Sequence, residues 1–514
     1  MVFTSFAFLK FFAVVWIMLW LTRTRTVRQL LILIASAFFY AYWKPAYLLL
    51  LLTPSMIDYW CSIHIEDTDD PGRRRNWLLV SLITNLGLLA YFKYTNFFID
   101  NIALLRGRPI PHLDILLPVG ISFYTFKTLS YTIDVYRRHI PACRSLWKYA
   151  MFVTYFPELV AGPIVRASVF LPQMSRSLRP SWSRTFLGLQ VVLLGVTKKL
   201  VVADRLALFV DPVFANPAAY TPFTVTSAVV AYSLQIYCDF SGYSDIAIGV
   251  SKIIGFDLPE NFNMPYLATS LTDFWRRWHM TLSGWLRDYL YIPLGGNRHG
   301  RLKTYRNLMI TMLLGGLWHG ASWNFVFWGL LHGCGLAVNH WWTRDRAAAV
   351  HGIATNSALG WVRNLGWVRN IVQWFATYVF VCFAWIFFRS RNLDTSMLIV
   401  RKVLHLDTSG SPWPYSPLYM LIGIVVAAHI LGVMAARQGA VPGLKVRWIV
   451  PPNWAAPLYS MARQRFAVKP SKVAGIYVLA PLPGFAGGFI ITVWLIGVYL
   501  FASLQTSPFI YFQF

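Results

Sequence analysis

From residue 6 to residue 503 the chain alternates long apolar runs with short polar segments, most of them basic. The runs cover about 6–22, 28–43, 46–63, 77–95, 113–134, 148–162, 186–203, 223–240, 305–320, 322–342, 370–388, 416–435 and 474–503. Most reach or approach the roughly 17–25 residues that carry a helix across about 30 Å of hydrocarbon. The pattern predicts an all-α, polytopic integral membrane protein with about 11–13 membrane segments, re-entrant ones included. No internal repeat or low-complexity tract breaks it, so residues 1–514 read as a single membrane domain. Within that domain, 437–472 forms a long cytoplasmic loop and 504–514 an aromatic C-terminal tail. The first run lacks a basic leader and a small-residue cleavage site, and Thr22-Arg23-Thr24-Arg25 stops it; it reads as a retained helix.

The polar segments set the topology. Arg23, Arg25 and Arg28, then Arg73, Arg74 and Arg75, then Arg137, Arg138, Arg144 and Lys148 mark cytoplasmic loops and leave the N-terminus outside. The alternation then fails, because residues 164–185 are basic again after only one short run. That run, 148–162, holds Pro157 and Glu158 and ends at Gly162-Pro163, which predicts a re-entrant segment. Irregular backbone at membrane depth survives only when buried in protein or lining a cavity.

Composition changes this picture little. The chain is 57% hydrophobic and 13% charged, too few charges to cover a soluble protein of 514 residues. The net charge of +26 lies in the short segments between runs, as the positive-inside bias requires, and is no sign of nucleic-acid binding. Cys61, Cys143, Cys238, Cys334 and Cys382 have neither disulfide nor metal-ligand spacing, and no histidine pair has ligand spacing; no metal is expected.

Candidate chemistry concentrates between Asp239 and Trp328. Asp239 and Asp245 open the stretch beside an apolar run. A helix from about 271 to 292 would align Trp275, Trp278, Leu282, Trp285 and Tyr289 on one face, with Arg276, His279 and Ser283 on a neighbouring stripe. Such a helix suits the cytoplasmic interface, its arginines facing lipid phosphates, or equally the phosphates of a nucleotide-like carrier. No phosphate-binding glycine loop is present, which argues against ATP as a direct substrate. In Leu313-Leu314-Gly315-Gly316-Leu317-Trp318-His319-Gly320-Ala321, an ionisable residue lies between two apolar runs. Two readings of His319 stand on the residues alone. One is a hydrogen-bonded core histidine; the other is a general base, since a neutral imidazole with pKa near 6.5 accepts protons at physiological pH. His332 reads as structural. The tail Thr506 to Phe514 is either an interfacial aromatic end or a plug that presents the Tyr511 hydroxyl.

Several ordered motifs carry a resemblance that covers most of the chain. They are Leu117 to Tyr124, Gln235 to Asp245, Asp273 to His279, Trp285 to Arg298 and Leu313 to Ala321. In them the chain resembles the membrane-bound O-acyltransferases, in particular the bacterial branch that acylates cell-surface polymers. The resemblance implies a helical bundle around a central funnel or tunnel, in the bacterial inner membrane. It places the family's catalytic histidine on His319 and its second histidine on His279. It also implies acetyl-CoA as cytoplasmic acyl-donor substrate with no bound cofactor, and a periplasmic serine-hydrolase-like partner. The acceptor it implies is an alginate-, cellulose- or peptidoglycan-like polysaccharide. Arg276 and Arg277 then become donor-binding candidates, and Tyr511, by likeness to a related pathway's aromatic tail, a candidate acyl relay. A proton-coupled transporter using His319, Asp58 and the Asp239–Asp245 carboxylates, or a scaffold of an export complex, is the competing reading.

Overall fold

Polar residues at the mouths of the apolar runs start the helices. In the computed structural model, Ser5 Oγ accepts the Phe8 N–H at 3.1 Å and Thr24 Oγ1 accepts the Val27 N–H at 3.4 Å. Asp70 Oδ1 takes the Gly72 N–H at 3.0 Å, and Asn392 Oδ1 takes the Thr395 N–H at 2.9 Å. The structure describes residues 1–159, 162–175, 180–352, 366–415, 417–438, 485–503 and 507–510.

The helices, in order, are α1 (Phe6–Leu21), α2 (Arg25–Ala41), α3 (Ala46–Asp67), α4 (Pro71–Leu89), α5 (Thr95–Arg106), α6 (Ile121–Tyr136), α7 (Leu146–Thr154) and α8 (Trp182–Val196). There follow α9 (Asp204–Ala215), α10 (Pro222–Ile254), α11 (Leu271–Trp275), α12 (Met280–Leu286), α13 (Arg301–His319) and α14 (Trp323–Gly352). The last are α15 (Gly366–Arg389), α16 (Leu393–Val403), α17 (Pro417–Gln438) and α18 (Phe485–Phe501). Short π-helical segments, Ala90–Tyr94 and Thr197–Ala203, join α4 to α5 and α8 to α9. Among the described residues, Ala46–Asp67, Pro71–Arg106, Trp182–Ala215 and Val368–Arg389 are long and apolar enough to cross a membrane, and three shorter apolar helices accompany them. The chain is an all-α, multi-pass membrane protein.

By their contacts the residues form two compact units. Unit 1 comprises Met1–Lys199, Phe240–Glu260 and Ala435–Phe501; unit 2 comprises Leu200–Asp239, Asn261–Met434 and Ala502–Phe514. Most of the predicted 437–472 loop lies outside the described residues.

In unit 1, α7 has nine residues, about 14 Å at 1.5 Å per residue, too short to cross a bilayer. The chain leaves it at Tyr155 for one turn, Phe156–Leu159, and residues 162–166 are not helical. Tyr155, Phe156 and Val165 are fully buried, so the expected irregular segment is enclosed by protein. Lys127 Nζ meets Glu158 Oε2 at 2.6 Å inside it. Two glycine pairs, Gly188 with Gly249 and Gly195 with Gly242, bring α8 against the second half of α10: a Cβ on Gly195 would lie 2.4 Å from the Gly242 carbonyl oxygen.

Unit 2 is built on aromatic rings. Trp278, Trp328 and Trp385 are each 1% exposed, with ring centroids 5.0 Å apart for Trp278–Trp385 and 6.0 Å for Trp328–Trp385. Trp385 Nε1 donates to the Tyr266 hydroxyl at 3.2 Å, which donates to the Ser233 carbonyl at 2.5 Å. Both indole and phenol thus satisfy their polar ends inside an apolar core.

Candidate active site

The centre of the site is the hairpin of α13 and α14. A Cβ on Gly316 would stand 2.2 Å from the Phe325 carbonyl oxygen, and one on Gly329 would stand 2.4 Å from that of Met312. Only glycine permits this approach, and it sets the side chains at the hairpin's tip. His319 is the last residue of α13, where Gly320 turns to extended backbone at φ −164°. Its ring meets Trp318 at 4.9 Å, Trp328 at 5.1 Å and Phe388 at 5.1 Å, all edge-on. The side chain is held at 5% exposure by three rigid rings from two sides of the core.

His279 reaches the same cluster from another element: its ring lies 6.1 Å from Trp318, which touches His319. The structure therefore brings both predicted histidines to one tryptophan. It does not keep them on one long helix. The predicted 271–292 helix is broken at His279, whose backbone is left-handed at φ 41° and ψ 55°. A non-glycine residue holds that conformation only when its surroundings insist. Here they are Asn261, whose Oδ1 faces His279 Nδ1 at 3.0 Å, Thr281 Oγ1 at 2.8 Å and the Thr281 N–H at 3.3 Å. Because the backbone N–H can only donate, this oxygen is an acceptor, so His279 Nδ1 carries a proton and Nε2 the lone pair. Met280 N–H also donates to the Asn261 carbonyl at 2.9 Å. Asn261 is buried and was missed in the sequence, where a lone asparagine in a loop carries no signal. The predicted common stripe of Arg276, His279 and Ser283 does not exist, whereas Trp275, Trp278, Leu282, Trp285 and Tyr289 are all buried as expected.

Arg277 Nε is bound to Asp273 Oδ2 at 2.9 Å, and its NH1 reaches the Asn263 carbonyl at 3.4 Å. It fastens the loop that carries His279, while Arg276 is exposed. His332 accepts the Trp275 indole N–H on Nδ1 at 3.3 Å and is packed by Trp328 at 4.7 Å.

Part of the tail is also docked here. Phe509 and Ile510 are each 1% exposed, the Ile510 N–H donates to Asp239 Oδ2 at 2.8 Å, and Ser507 Oγ donates to Asp204 Oδ1 at 2.6 Å. Tyr511 lies outside the described residues. The carboxylates of the transporter reading have local partners. In unit 1, Asp58 accepts from Ser81 Oγ at 2.5 Å and Asn85 Nδ2 at 2.9 Å, and Asp245 pairs with Lys198 at 2.7 Å. In unit 2, Asp239 receives the tail. Among the described residues no group of His, Cys, Asp and Glu is placed to hold a metal ion.

Known proteins resemble this chain along most of its length. A protein of Pseudomonas aeruginosa named Probable alginate O-acetylase AlgI is 39% identical over 85% of this chain and 82% of its own. One of the same name from Pseudomonas syringae pv. tomato is 36% identical over the whole of both chains. The Peptidoglycan O-acetyltransferase of Helicobacter pylori is 37% identical over 74% of each. The profile of the membrane-bound O-acyltransferase family matches residues 132–388, which run from α6 to the end of α15 and contain His279, His319 and the rings around them. With that match over the elements that build the histidine hairpin, and relatives this similar along most of its length, the chain belongs to the membrane-bound O-acyltransferase family and is an O-acyltransferase.

Proposed function

We propose that this enzyme takes an acetyl group from cytoplasmic acetyl-CoA and passes it across the bacterial inner membrane for O-acetylation of an extracytoplasmic polysaccharide. The observation that carries the reading is His319, buried in a cage of rings at the tip of a glycine-packed hairpin and sharing Trp318 with His279. Relatives named for O-acetylation of alginate and of peptidoglycan favour acetyl as the group and an envelope glycan as the target.

In the proposed reaction, His319 takes the proton of an incoming hydroxyl whose oxygen attacks the thioester carbonyl carbon. The C–S bond breaks, and the coenzyme A thiolate leaves with the proton from the imidazolium. Tyr511 is the candidate hydroxyl. Ile510, its neighbour, is buried and anchored on Asp239, which supports a tail held in unit 2 rather than loose in solvent. A phenol of pKa about 10 attacks once its proton has an acceptor, and the acetyl-tyrosine ester is activated enough to acetylate a serine of a periplasmic serine-hydrolase-like transferase. His279, with its lone pair on Nε2, positions the donor. Exposed Arg276 meets the coenzyme's phosphates, and Arg277 holds the loop in place.

Purified enzyme in liposomes with labelled acetyl-CoA tests this. His319→Ala should abolish label transfer, and Tyr511→Phe should abolish the mass increment on the last peptide. Transfer that survives His319→Ala removes the base; label on a serine, or on no residue, removes the relay.

A further inference from the structure

After α18 the chain follows the junction between the π-helical segment Thr197–Ala203 and α9. The Ser503 N–H donates to the Leu200 carbonyl at 3.1 Å, and Arg205 NH2 reaches the Ala502 carbonyl at 3.5 Å. Further on, Ser507 Oγ donates to Asp204 Oδ1 at 2.6 Å and the Ile510 N–H to Asp239 Oδ2 at 2.8 Å. Burial deepens in the same direction. Ser503 and Ser507 are half-buried, whereas Phe509 and Ile510 are each 1% exposed. Chain ends ordinarily fray into solvent, and this one enters the protein.

Both acceptors are carboxylates enclosed by unit 2. Asp204, the first residue of α9, is 0% exposed, and Asp239, on α10, is 1% exposed. A buried carboxylate is costly where a neutral oxygen could also accept, and its charge makes each bond roughly twice as strong. The Asp239 anchor grips main chain, so it sets the path of the tail and not merely the packing of one side chain. Ile510 belongs to the packed apolar cluster that contains Trp328 and Phe388, two of the three rings on His319. The anchored end of the tail is therefore built into the same core as the histidine cage.

We propose that Asp204 and Asp239 are positioning residues that hold the tail in unit 2 so that its next residue, Tyr511, meets the acyl donor. The inference rests on the relay reading given above and assigns neither carboxylate a bond or a proton in the transfer. Asp204 holds the tail through the Ser507 hydroxyl and Asp239 through the Ile510 amide, with Phe509 and Ile510 seated in apolar surroundings. Two hydrogen bonds and two apolar side chains make a hold that can also open. A relay needs both states, because the acetylated residue must afterwards reach the serine of the partner transferase.

The experiment uses the full-length protein in nanodiscs and makes two measurements on the last peptide. Hydrogen–deuterium exchange without acetyl-CoA reads docking, and incorporation of label over a range of acetyl-CoA concentrations reads positioning. Asp239→Ala and Ser507→Ala should each speed exchange by about tenfold or more. Each should lower the maximal rate of labelling by a similar factor, with the half-saturating acetyl-CoA concentration unchanged. Asp239→Asn keeps an acceptor oxygen and Ser507→Thr keeps a hydroxyl, so both should recover most of the parent's behaviour. Because Asp239 is buried, Ile510→Pro is read beside Ile510→Ala: both shorten the side chain, but only proline removes the N–H. Ile510→Pro should label more slowly than Ile510→Ala and should add nothing to Asp239→Ala. Parental exchange in Asp239→Ala and Ser507→Ala overturns the clamp. Faster exchange with a parental labelling rate overturns the positioning role, as does equal labelling by Ile510→Pro and Ile510→Ala. A last peptide that the parent never acetylates defeats the relay reading and this role with it. The exchange data, which need no acetyl transfer, distinguish that failure from failure of the clamp.

Discussion

Replacing Gly316 by alanine adds one methyl group, at a point where it lies 2.2 Å from the Phe325 carbonyl oxygen, 3.1 Å from its carbonyl carbon and 3.3 Å from Gly329 Cα. Non-bonded heavy atoms settle near 3.5 Å, so the hairpin of α13 and α14 must open by about 1 Å, and the obstacle is backbone that cannot rotate away. Phe325 would carry the strain onward, since its ring packs edge-on against Phe388 at 5.0 Å and Phe388 packs against His319. Overpacking of this kind costs about 1–3 kcal/mol, and a displacement of about 1 Å at a catalytic group can cost on the order of 100-fold in rate. Gly315→Ala is the internal control. Its new methyl meets only Leu286 Cδ1, at 3.3 Å, the movable end of a flexible side chain. Helix propensity favours alanine over glycine by about 0.8–1.0 kcal/mol at both positions, so propensity alone predicts that both variants are stabilised. Sterics predict that they diverge. The assay is acetyl transfer in liposomes, with thermal unfolding followed by fluorescence-detected size exclusion. Gly316→Ala should lose most of its activity and melt lower, while Gly315→Ala stays near the parent. Parental activity in Gly316→Ala, or equal damage from both, would refute the reasoning.

Asn261→Ala removes the acceptor of His279 Nδ1 and of two Thr281 donors, a loss of about 1–3 kcal/mol for each buried group left unsatisfied. Its activity should fall, and the double variant with His279→Ala should be no worse than His279→Ala alone; additive losses would contradict a positioning role. Arg276→Glu should raise KM for acetyl-CoA with kcat nearly kept, and steady-state kinetics that show the reverse would remove Arg276 from the donor site. Asp58→Ala breaks three interhelical bonds within unit 1, each worth roughly 0.6 kcal/mol, and should lower the melting temperature while catalysis at 25 °C persists. Abolished turnover in a well-folded Asp58→Ala protein would instead make that carboxylate part of the chemistry.

The membrane class of this protein is written in its sequence, because the length and apolarity of a run are local properties that the bilayer reads directly. So is the break after 148–162: a run this short that ends in Gly162-Pro163 and is followed by basic residues cannot make a regular crossing and return, and in the structure Tyr155, Phe156 and Val165 of that stretch are buried in protein. The apolar face of residues 271–292 was legible for the same reason, since burial follows side-chain type, and all five of its aromatic and aliphatic positions are buried. The backbone that carries them was not. Its left-handed turn at His279 depends on Asn261, 18 residues away in the chain, whose side-chain oxygen gathers three donors that no periodicity can announce. The glycines around His319 could be seen as room for a close approach, but only the folded hairpin distinguishes Gly316, against a carbonyl oxygen, from Gly315, against a leucine methyl. Likewise Asp239 was visible as a carboxylate beside an apolar run, and Arg389 only as the end of one. Their partners, the Ile510 N–H and Asp211, come from segments 271 and 178 residues away. Sequence alone determined the solvent of each segment and the residue types available for chemistry. The tertiary structure decided which of those residues meet, because hydrogen bonds and ring contacts depend on distances that local pattern does not encode.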